Sequence, residues 1–230
     1  MKLDYKNWKL CRKILFLVFF TAVCAQTSFS KDGKSVALKF GATGYEGKFS
    51  DEKSTYTWTV YNPDIQLRFD LPVTGIKENC FFSLGFSYDL LWAGYNSSDI
   101  NVYIDDNSLE HKFSLMPELV FSKNDLRLIV GTGFSFGITS YDYEYKTSSN
   151  TEKNSHTDYQ FLWNLEAGVK YYLTEKCSLL TDFTISIPFF TMKRDQTYSK
   201  GGSSGTYADV NLSGTAAMHY SPKVGVCWSF

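Results

Sequence analysis

Residues 158–173 read DYQFLWNLEAGVKYYL, and two kinds of side chain alternate along them. The even positions are mostly polar, charged or small. The odd positions are apolar or aromatic: Tyr159, Phe161, Trp163, Leu165, Ala167, Val169, Tyr171 and Leu173. Successive side chains of a β-strand point to opposite faces, whereas a helix would spread these residues around its circumference. This stretch therefore predicts a strand with one strongly apolar face.

The same period of two recurs along the rest of the chain and predicts eight strands. The other seven fall at residues 36–42, 56–72, 82–92, 113–121, 126–139, 179–189 and from about 210 to the end. Short connections are predicted near 73–79, 123–125 and 174–177, and long polar ones near 46–55, 96–108, 146–157 and 193–209. This alternation indicates an all-β protein, an antiparallel up-and-down barrel of consecutive hairpins.

Proline positions predict irregularities in this barrel. Between residues 56 and 71 the apolar residues change from even to odd positions. A β-bulge near Asn62-Pro63 would produce that change, because proline cannot donate a hydrogen bond to the ladder. Further irregularities are expected at Pro117, Pro188 and Pro222.

The second face of the strands indicates which side meets water. A soluble barrel of the lipocalin type would enclose its apolar face around a ligand, whereas a membrane barrel turns it toward lipid. In residues 126–139 the second face carries one charge, Arg127, among glycines and small residues. A water-exposed face would be dense in Lys and Glu. We therefore expect the apolar face to contact lipid, with the second face lining a narrow lumen.

Aromatic residues near the strand ends predict two interfacial girdles. At the long-loop end they are Tyr45, Trp58, Trp92, Tyr95, Tyr141 and Tyr143. At the short-turn end they are Phe121, Tyr171, Trp228 and Phe230.

The N-terminal segment predicts export. A basic start, an apolar run from Ile14 to Phe20 and small residues before Gln26 are typical of a secretory signal peptide. The apolar run is much shorter than the roughly 20 residues that a membrane-spanning helix needs. We expect a signal peptide at residues 1–25, with cleavage after residue 30 as the alternative, and a barrel domain at 26–230. Lipidation of Cys24 stays open, although Val23 before it is unusual for a lipoprotein signal.

Composition excludes several classes of function. The formal net charge is −1, whereas a nucleic-acid-binding domain typically carries an excess of Lys and Arg. Cys80, Cys177 and Cys227 are widely spaced without a CxxC pair, which argues against a zinc site or a disulfide framework. One disulfide bridge stays open. We expect no cofactor and no metal.

The chain ends YSPKVGVCWSF, with apolar residues alternating up to a terminal aromatic: Tyr220, Val224, Val226, Trp228 and Phe230. With eight predicted strands, the mature chain resembles the small eight-stranded bacterial outer-membrane barrels, the OmpA transmembrane domain, OmpX and OmpW group. The resemblance rests on architecture and on no family-specific motif. It implies a monomer in the lipid of the outer membrane, with short periplasmic turns and four long extracellular loops. It also implies that the C-terminal strand is an assembly signal for the barrel-assembly machinery.

Ten charged residues are predicted to point into the lumen, five of each sign. They are Lys39, Arg68, Asp70, Asp89, Glu118, Arg127, Glu166, Lys170, Asp182 and Lys223. In a lumen about as wide as its side chains, they predict a paired, hydrogen-bonded plug. A gate or a narrow polar pore is the functional alternative.

We therefore expect a non-enzymatic outer-membrane protein that serves envelope structure, surface or host interaction at its loops, or restricted passage of small solutes. An OmpW-like conduit for small apolar molecules is the first alternative, which the lumen charges count against. A lipid A-modifying enzyme is another, because His219-Tyr220-Ser221 resembles the His-x-Ser of lipid A deacylases. However, no acidic residue follows, and strand parity places His219 and Ser221 in the lumen. His111 and His156 are predicted to be solvated.

Overall fold

The computed structural model describes residues 33–50, 55–99, 102–147, 151–200, 203–206, 210–211 and 218–230. Its elements are β1 (Ser35–Ser50), β2 (Thr55–Lys77), β3 (Cys80–Asp99), β4 (Val102–Lys123), β5 (Leu126–Thr147), β6 (Thr151–Tyr172), β7 (Cys177–Lys200), β8 (Ser203–Thr206), β9 (Val210–Asn211) and β10 (Met218–Ser229). Within these ranges no helix is long and apolar enough to cross a bilayer. The predicted signal peptide and Cys24 lie outside the described residues.

Eight of these strands close into a ring. Strands β1 to β7 pair antiparallel in chain order, and β10 pairs with both β7 and β1. The short β8 and β9 pair with the far end of β7. A closed ring has no free edge, so its backbone groups hydrogen-bond to each other, as a bilayer requires. The prediction of an eight-stranded up-and-down barrel is confirmed.

The outer face of the ring is an apolar belt. On β5 burial alternates residue by residue, with Phe134 61% exposed and its neighbour Ser135 buried. Exposed apolar side chains recur around the ring, among them Leu38, Phe86, Leu119, Trp163, Phe183 and Val226. On β5 the outward apolar residues extend from Leu126 to Ile138, about 30 Å along the axis at the usual strand tilt. Such a continuous belt is stable against lipid rather than water.

The bulge predicted at Asn62-Pro63 is wrong. The β1–β2 pairing runs without a shift from Ser35 opposite Asp70 to Ser50 opposite Thr55. The apolar residues of the sequence change phase here while the backbone register does not. The polarity of a residue depends on what its face of the strand contacts. Those surroundings can change along a strand whose pairing stays regular.

The ladder shifts elsewhere. Two shifts lie in β2 between Pro72 and Lys77, next to the turn into β3. A third lies at Pro188, where Phe161 pairs with Phe190 and the next residue of β6 pairs with Pro188. The irregularity predicted at Pro188 is therefore confirmed. At Pro117 and Pro222 the ladder is interrupted on one side but its register is unchanged.

The long connections are mostly paired strand rather than loop. Strands β3 and β4 pair as far as Asp99 and Val102, and β5 and β6 as far as Lys146 and Thr151. The predicted loop boundaries at 96–108 and 146–157 are therefore too wide. In the part of the chain predicted as the final strand, Val210–Asn211 pairs with β7, and β10 pairs with β7 from His219 onward. The polar residues in these segments show where the strands leave the lipid, not where the strands end. The β5–β6 hairpin extends about 20 Å beyond the belt.

Ion pairs cross the outer surface of this hairpin. Glu144 Oε1 lies 2.8 Å from Lys153 Nζ and 2.9 Å from Lys146 Nζ. Hydrogen bonds from Lys153 and then Lys146 lower the pKa of Glu144 below its ordinary value. The pairs therefore stabilise the hairpin above the ordinary glutamate pKa, and this is lost as pH falls through the lowered value. At so exposed a site the effect on stability is small.

Lys153→Met is expected to raise the pKa of Glu144 toward its ordinary value, because the stronger of its two hydrogen bonds is lost. An NMR pH titration of the Glu144 carboxyl carbon measures this. Lys200→Met is the matched control, since Lys200 pairs with Glu152 at 3.1 Å instead. An unchanged Glu144 titration in Lys153→Met would contradict the described pairing of the hairpin.

Candidate functional site: the barrel lumen

Arg68 lies at the centre of the lumen and contacts three carboxylates. Its Nε is 2.5 Å from Asp70 Oδ1 and its Nη1 is 2.5 Å from Glu166 Oε1, while Nη2 contacts Glu118 Oε1. Arg68 itself is only 2% exposed. The planar guanidinium presents several donors in fixed directions, so one cation can hold carboxylates from strands β2, β4 and β6 together.

Glycines make room for this cluster. A Cβ atom at Gly85 would lie 2.8 Å from both Arg68 Nη2 and Glu118 Oε1. A Cβ atom at Gly131 would lie 2.9 Å from Glu118 Cγ. Both glycines face the lumen, so the absence of their side chains leaves space for the long charged ones.

Two lysine clusters lie beside the Arg68 cluster. Lys39 Nζ is 2.6 Å from Asp182 Oδ2. Lys223 contacts Asp89 and lies 3.6 Å from Asp64 Oδ2. These carboxylates come from β2, β3 and β7, so side-chain pairs connect strands across the lumen as well as around the wall.

The short-turn end of the lumen is closed differently. The Arg127 guanidinium carbon lies 4.6 Å from the ring centroid of Tyr172 and 5.4 Å from that of Phe81. Lys170 Nζ donates to Ser35 Oγ, which donates to Asp70. An apolar layer packs at this end: Ala37, Val120, Ile129, Leu180 and Cys227. Cation–π contacts and apolar packing thus seal the periplasmic side.

Little space is left inside. A cavity of about 10 Å³ lies between the clusters, lined by polar side chains that include Gln66, Lys112, Ser135 and Asn164. That volume holds about one water molecule.

The structure places all ten of the predicted lumen charges inside the barrel: nine are buried and Asp70 is half-buried. Among the described residues, sequence reasoning missed three more buried charges. Glu110 and Lys112 lie on the lumen side of β4 but precede the predicted strand at 113–121, and Asp64 adjoins the predicted bulge. Extending the even parity of Glu118 back along β4 would have found the first two.

Three of the predictions about histidine and tyrosine need correction. His111 is not simply solvated: it faces outward and shares a 2.7 Å hydrogen bond with Tyr88 Oη. His156 is half-buried, with its ring 4.7 Å from that of Tyr141. Tyr45 and Tyr141 belong to the lumen wall rather than to a girdle, since their hydroxyls donate to Glu110 and Asp106. Burial and then Asp106 raise the pKa of Tyr141, so its phenol stays neutral.

The remaining girdle residues divide as follows. The exposed aromatics include Trp92, Phe121, Tyr171 and Trp228, and the side chains of Trp58 and Tyr95 lie outside the described residues. Tyr143 is half-buried on the same face of β5 as Tyr141.

The C-terminal strand alternates as its sequence does. Val224, Val226 and Trp228 are exposed, and Tyr220 and Phe230 half-exposed. Phe230 N donates to Lys34 O at 2.9 Å, which ties the last residue to the start of β1. Recognition of this strand by the assembly machinery stays a prediction.

His219 and Ser221 are both 1% exposed and lie in the lumen. Cys80, Cys177 and Cys227 are free thiols. In the described part of the chain, no group of three or more His, Cys, Asp or Glu residues could hold a metal ion.

Gly85→Val is expected to destabilise the barrel by about 1–3 kcal/mol, because its side chain would displace the Arg68–Glu118 contact. Gly75→Val is the control, since a Cβ there meets nothing within 4 Å. Urea unfolding from lipid vesicles measures both. Equal unfolding midpoints would show that Arg68 does not need the space at Gly85.

A closed ring, an apolar belt and a charged, filled lumen define a transmembrane β-barrel. A comparison with protein families finds no match, and neither does a comparison with curated proteins. Among solved structures, a major outer membrane protein from Thermus thermophilus is similar to the chain, with a TM-score of 0.51 and 8% identity over 86% of this chain and 99% of that one.

Two other solved structures have lower scores. The outer membrane protease OmpT of Escherichia coli has a TM-score of 0.48 and 10% identity over 90% of this chain and 99% of its own. The attachment invasion locus protein Ail of Yersinia pestis was solved in complex with the heparin analogue sucrose octasulfate. Its TM-score is 0.43, with 10% identity over 86% of this chain and 99% of its own. At these identities the likeness shows the fold alone. That fold and the apolar belt together place the protein in the outer membrane.

Proposed function

We propose that the protein is a sealed outer-membrane barrel that anchors extracellular β-hairpins, and that those hairpins bind a partner at the cell surface. The observation that carries the proposal is the filled lumen. Between its charged clusters, the cavity of about 10 Å³ that the described residues line admits about one water molecule and no solute. The proposal therefore favours surface interaction over solute passage.

The chemistry of the lumen supports this choice. A solute would have to separate Arg68 from its carboxylates, and leaving one buried charge unpaired costs about 3–5 kcal/mol. It would then have to cross the apolar layer around Ile129 and Leu180. Two barriers of different chemistry, one polar and one apolar, lie in series.

The same lumen counts against the two alternative functions, an apolar conduit and a lipid A deacylase. An apolar conduit would need an apolar path, and the centre of the barrel is charged. A lipid A deacylase would need His219 and Ser221 to reach lipid, but Ser221 Oγ donates to Asp64 Oδ2 at 3.0 Å inside the barrel. The proposed function is therefore a non-enzymatic one.

The hairpins are suited to binding. Residues on rigid, projecting elements are where outer surfaces usually carry function. The β5–β6 hairpin is paired to Lys146 and Thr151 and held by the cross-strand ion pair between Glu144 and Lys153. A partner would therefore meet a preformed β-surface rather than a flexible loop.

Planar-bilayer recording tests the sealed lumen. The wild-type barrel is expected to insert without conducting. Protection of the barrel from protease in lipid vesicles is the control for insertion. A variant with Arg68, Glu118 and Glu166 all changed to Ala is expected to stay silent as well, because the apolar layer still closes the periplasmic end. Discrete channels in the wild-type protein would overturn the proposal.

Shortening the β5–β6 hairpin tests the proposed surface function. Asp142 pairs with Ser155, so the two can be joined through an Asn-Gly turn without changing the register below. Bacteria that display this variant are expected to adhere less to epithelial cells than those displaying the wild-type chain. A heat-dependent shift on SDS-PAGE checks that the barrel still folds. Equal adhesion after shortening of this and the β3–β4 hairpin would contradict a role at the surface.

A further inference from the structure

The upper lumen wall, between the Arg68 cluster and the extracellular mouth, has a regular grid of inward residues. In one row Glu110 of β4 lies opposite Thr139 of β5, which lies opposite Asp158 of β6. In the next row toward the membrane centre, Lys112 lies opposite Gly137, Gly137 opposite Gln160, and Gln160 opposite Thr191.

Three oxygen atoms in this grid have no hydrogen-bond partner in the described part of the chain: Glu110 Oε1, Gln160 Oε1 and Thr191 Oγ1. Glu110 and Thr191 are each 4% exposed. The other oxygen of Glu110 is satisfied, since Tyr45 Oη donates to Oε2 at 2.7 Å. Glu110 belongs to β4, Gln160 to β6 and Thr191 to β7. Burying a polar atom without a partner is costly, so three such atoms in two adjacent rows of the wall indicate that a donor binds in this part of the lumen.

The Glu110 carboxylate lies over Gly137. A Cβ atom at Gly137 would lie 3.2 Å from Glu110 Oε1, which is closer than an ordinary contact, and 3.9 Å from Gln160 Cβ. The absence of a side chain at Gly137 therefore gives Glu110 Oε1 its place on the wall, next to Gln160.

The charge of the wall above Lys112 on β4, β5 and β6 favours a cation, while on β7 Lys193 lies opposite Asp158. On β4, β5 and β6 the described inward side chains above it include the carboxylates of Asp106, Glu110 and Asp158 but no Lys or Arg. Aromatic rings accompany the carboxylates. Tyr141 donates to Asp106 Oδ2 at 3.1 Å, and its ring lies 4.7 Å from that of His156. Carboxylates with aromatic faces are the surroundings that organic cations prefer.

A primary ammonium group fits these oxygens. It carries three N–H donors, and the wall offers a carboxylate, an amide and a hydroxyl oxygen. Metal ions fit less well, because no metal-holding group of His, Cys, Asp and Glu occurs among the described residues. We propose that the upper lumen binds the ammonium group of an aliphatic amine that enters from the extracellular mouth, with Glu110, Gln160 and Thr191 as its acceptors.

Lys112 is the alternative donor to these oxygens within the protein itself. It carries an ammonium of its own and lies directly opposite Gly137. Its side chain, however, lines the cavity on the other side, with Ser114 and Asn164. The wild-type protein therefore separates the two accounts. Oxygens that serve only Lys112 would bind no added amine while Lys112 is present, whereas an amine site binds it in the wild-type protein and binds it more tightly once the like charge is removed.

The experiment is an NMR titration of the full mature barrel in detergent micelles with n-butylamine, following the backbone amides of Gly137 and Thr139. Tetramethylammonium at the same ionic strength is the control cation, because it has the charge but no N–H donor. Saturable shifts are expected with butylamine and not with tetramethylammonium. The absence of saturable shifts with butylamine, or equal shifts with both cations, would overturn the proposal.

Variants locate the site. Glu110→Gln keeps the shape but removes the charge, and is expected to weaken butylamine binding about tenfold or more. Glu144→Gln, on the outer surface of the hairpin, is the matched control and is expected to bind like the wild-type protein. Lys112→Met is expected to bind more tightly. Loss of binding in Lys112→Met, or unchanged binding in Glu110→Gln with its heat shift intact, would refute the assignment. Bilayer recordings are not involved, so this result is separate from the test of the sealed lumen.

Discussion

One guanidinium, that of Arg68, is shared by Asp70, Glu118 and Glu166 at the centre of the barrel. The rest of the lumen depends on this contact. Closure of the ring turns every second residue inward, so charges on three strands meet in a space that water barely enters. Each carboxylate must then find a donor there, since an unpaired buried charge costs several kcal/mol. The glycines opposite the cluster and the lysine pairs beside it meet that same requirement.

The lumen is consequently different at its two ends. At the periplasmic end apolar packing and the cation–π contacts of Arg127 close it. Toward the outside the inward residues become acidic and aromatic, and the strands continue past the belt as paired hairpins. A barrel of this kind is a rigid anchor with a closed floor. The proposed binding at its mouth or on its hairpins uses the end of the barrel that this floor leaves open.

The period of two in the sequence predicted the strand count, the lipid-facing belt and the side on which Arg68 and Glu118 lie, because parity is a local property of a strand. The period of two could not predict which side chains pair with each other inside the lumen. Whether Arg68 meets Glu166 or Asp182 depends on the stagger between strands that are distant in the chain. The strand ends were also misplaced, since polar residues outside the membrane were read as loop, and this hid Glu110. The change of apolar phase near Pro63 was read as a bulge, although only the surroundings of the two faces change there.

The free energy of unfolding most directly tests the dependence of the lumen on Arg68. We would compare Arg68→Met with the combined variant Arg68→Met/Glu118→Gln/Glu166→Gln by urea unfolding from lipid vesicles. The account predicts that Arg68→Met alone is the less stable of the two, by about 1–3 kcal/mol. It leaves buried carboxylates without a donor, whereas the combined variant neutralises Glu118 and Glu166. A combined variant as unstable as Arg68→Met, or an Arg68→Met barrel as stable as the wild-type protein, would contradict it.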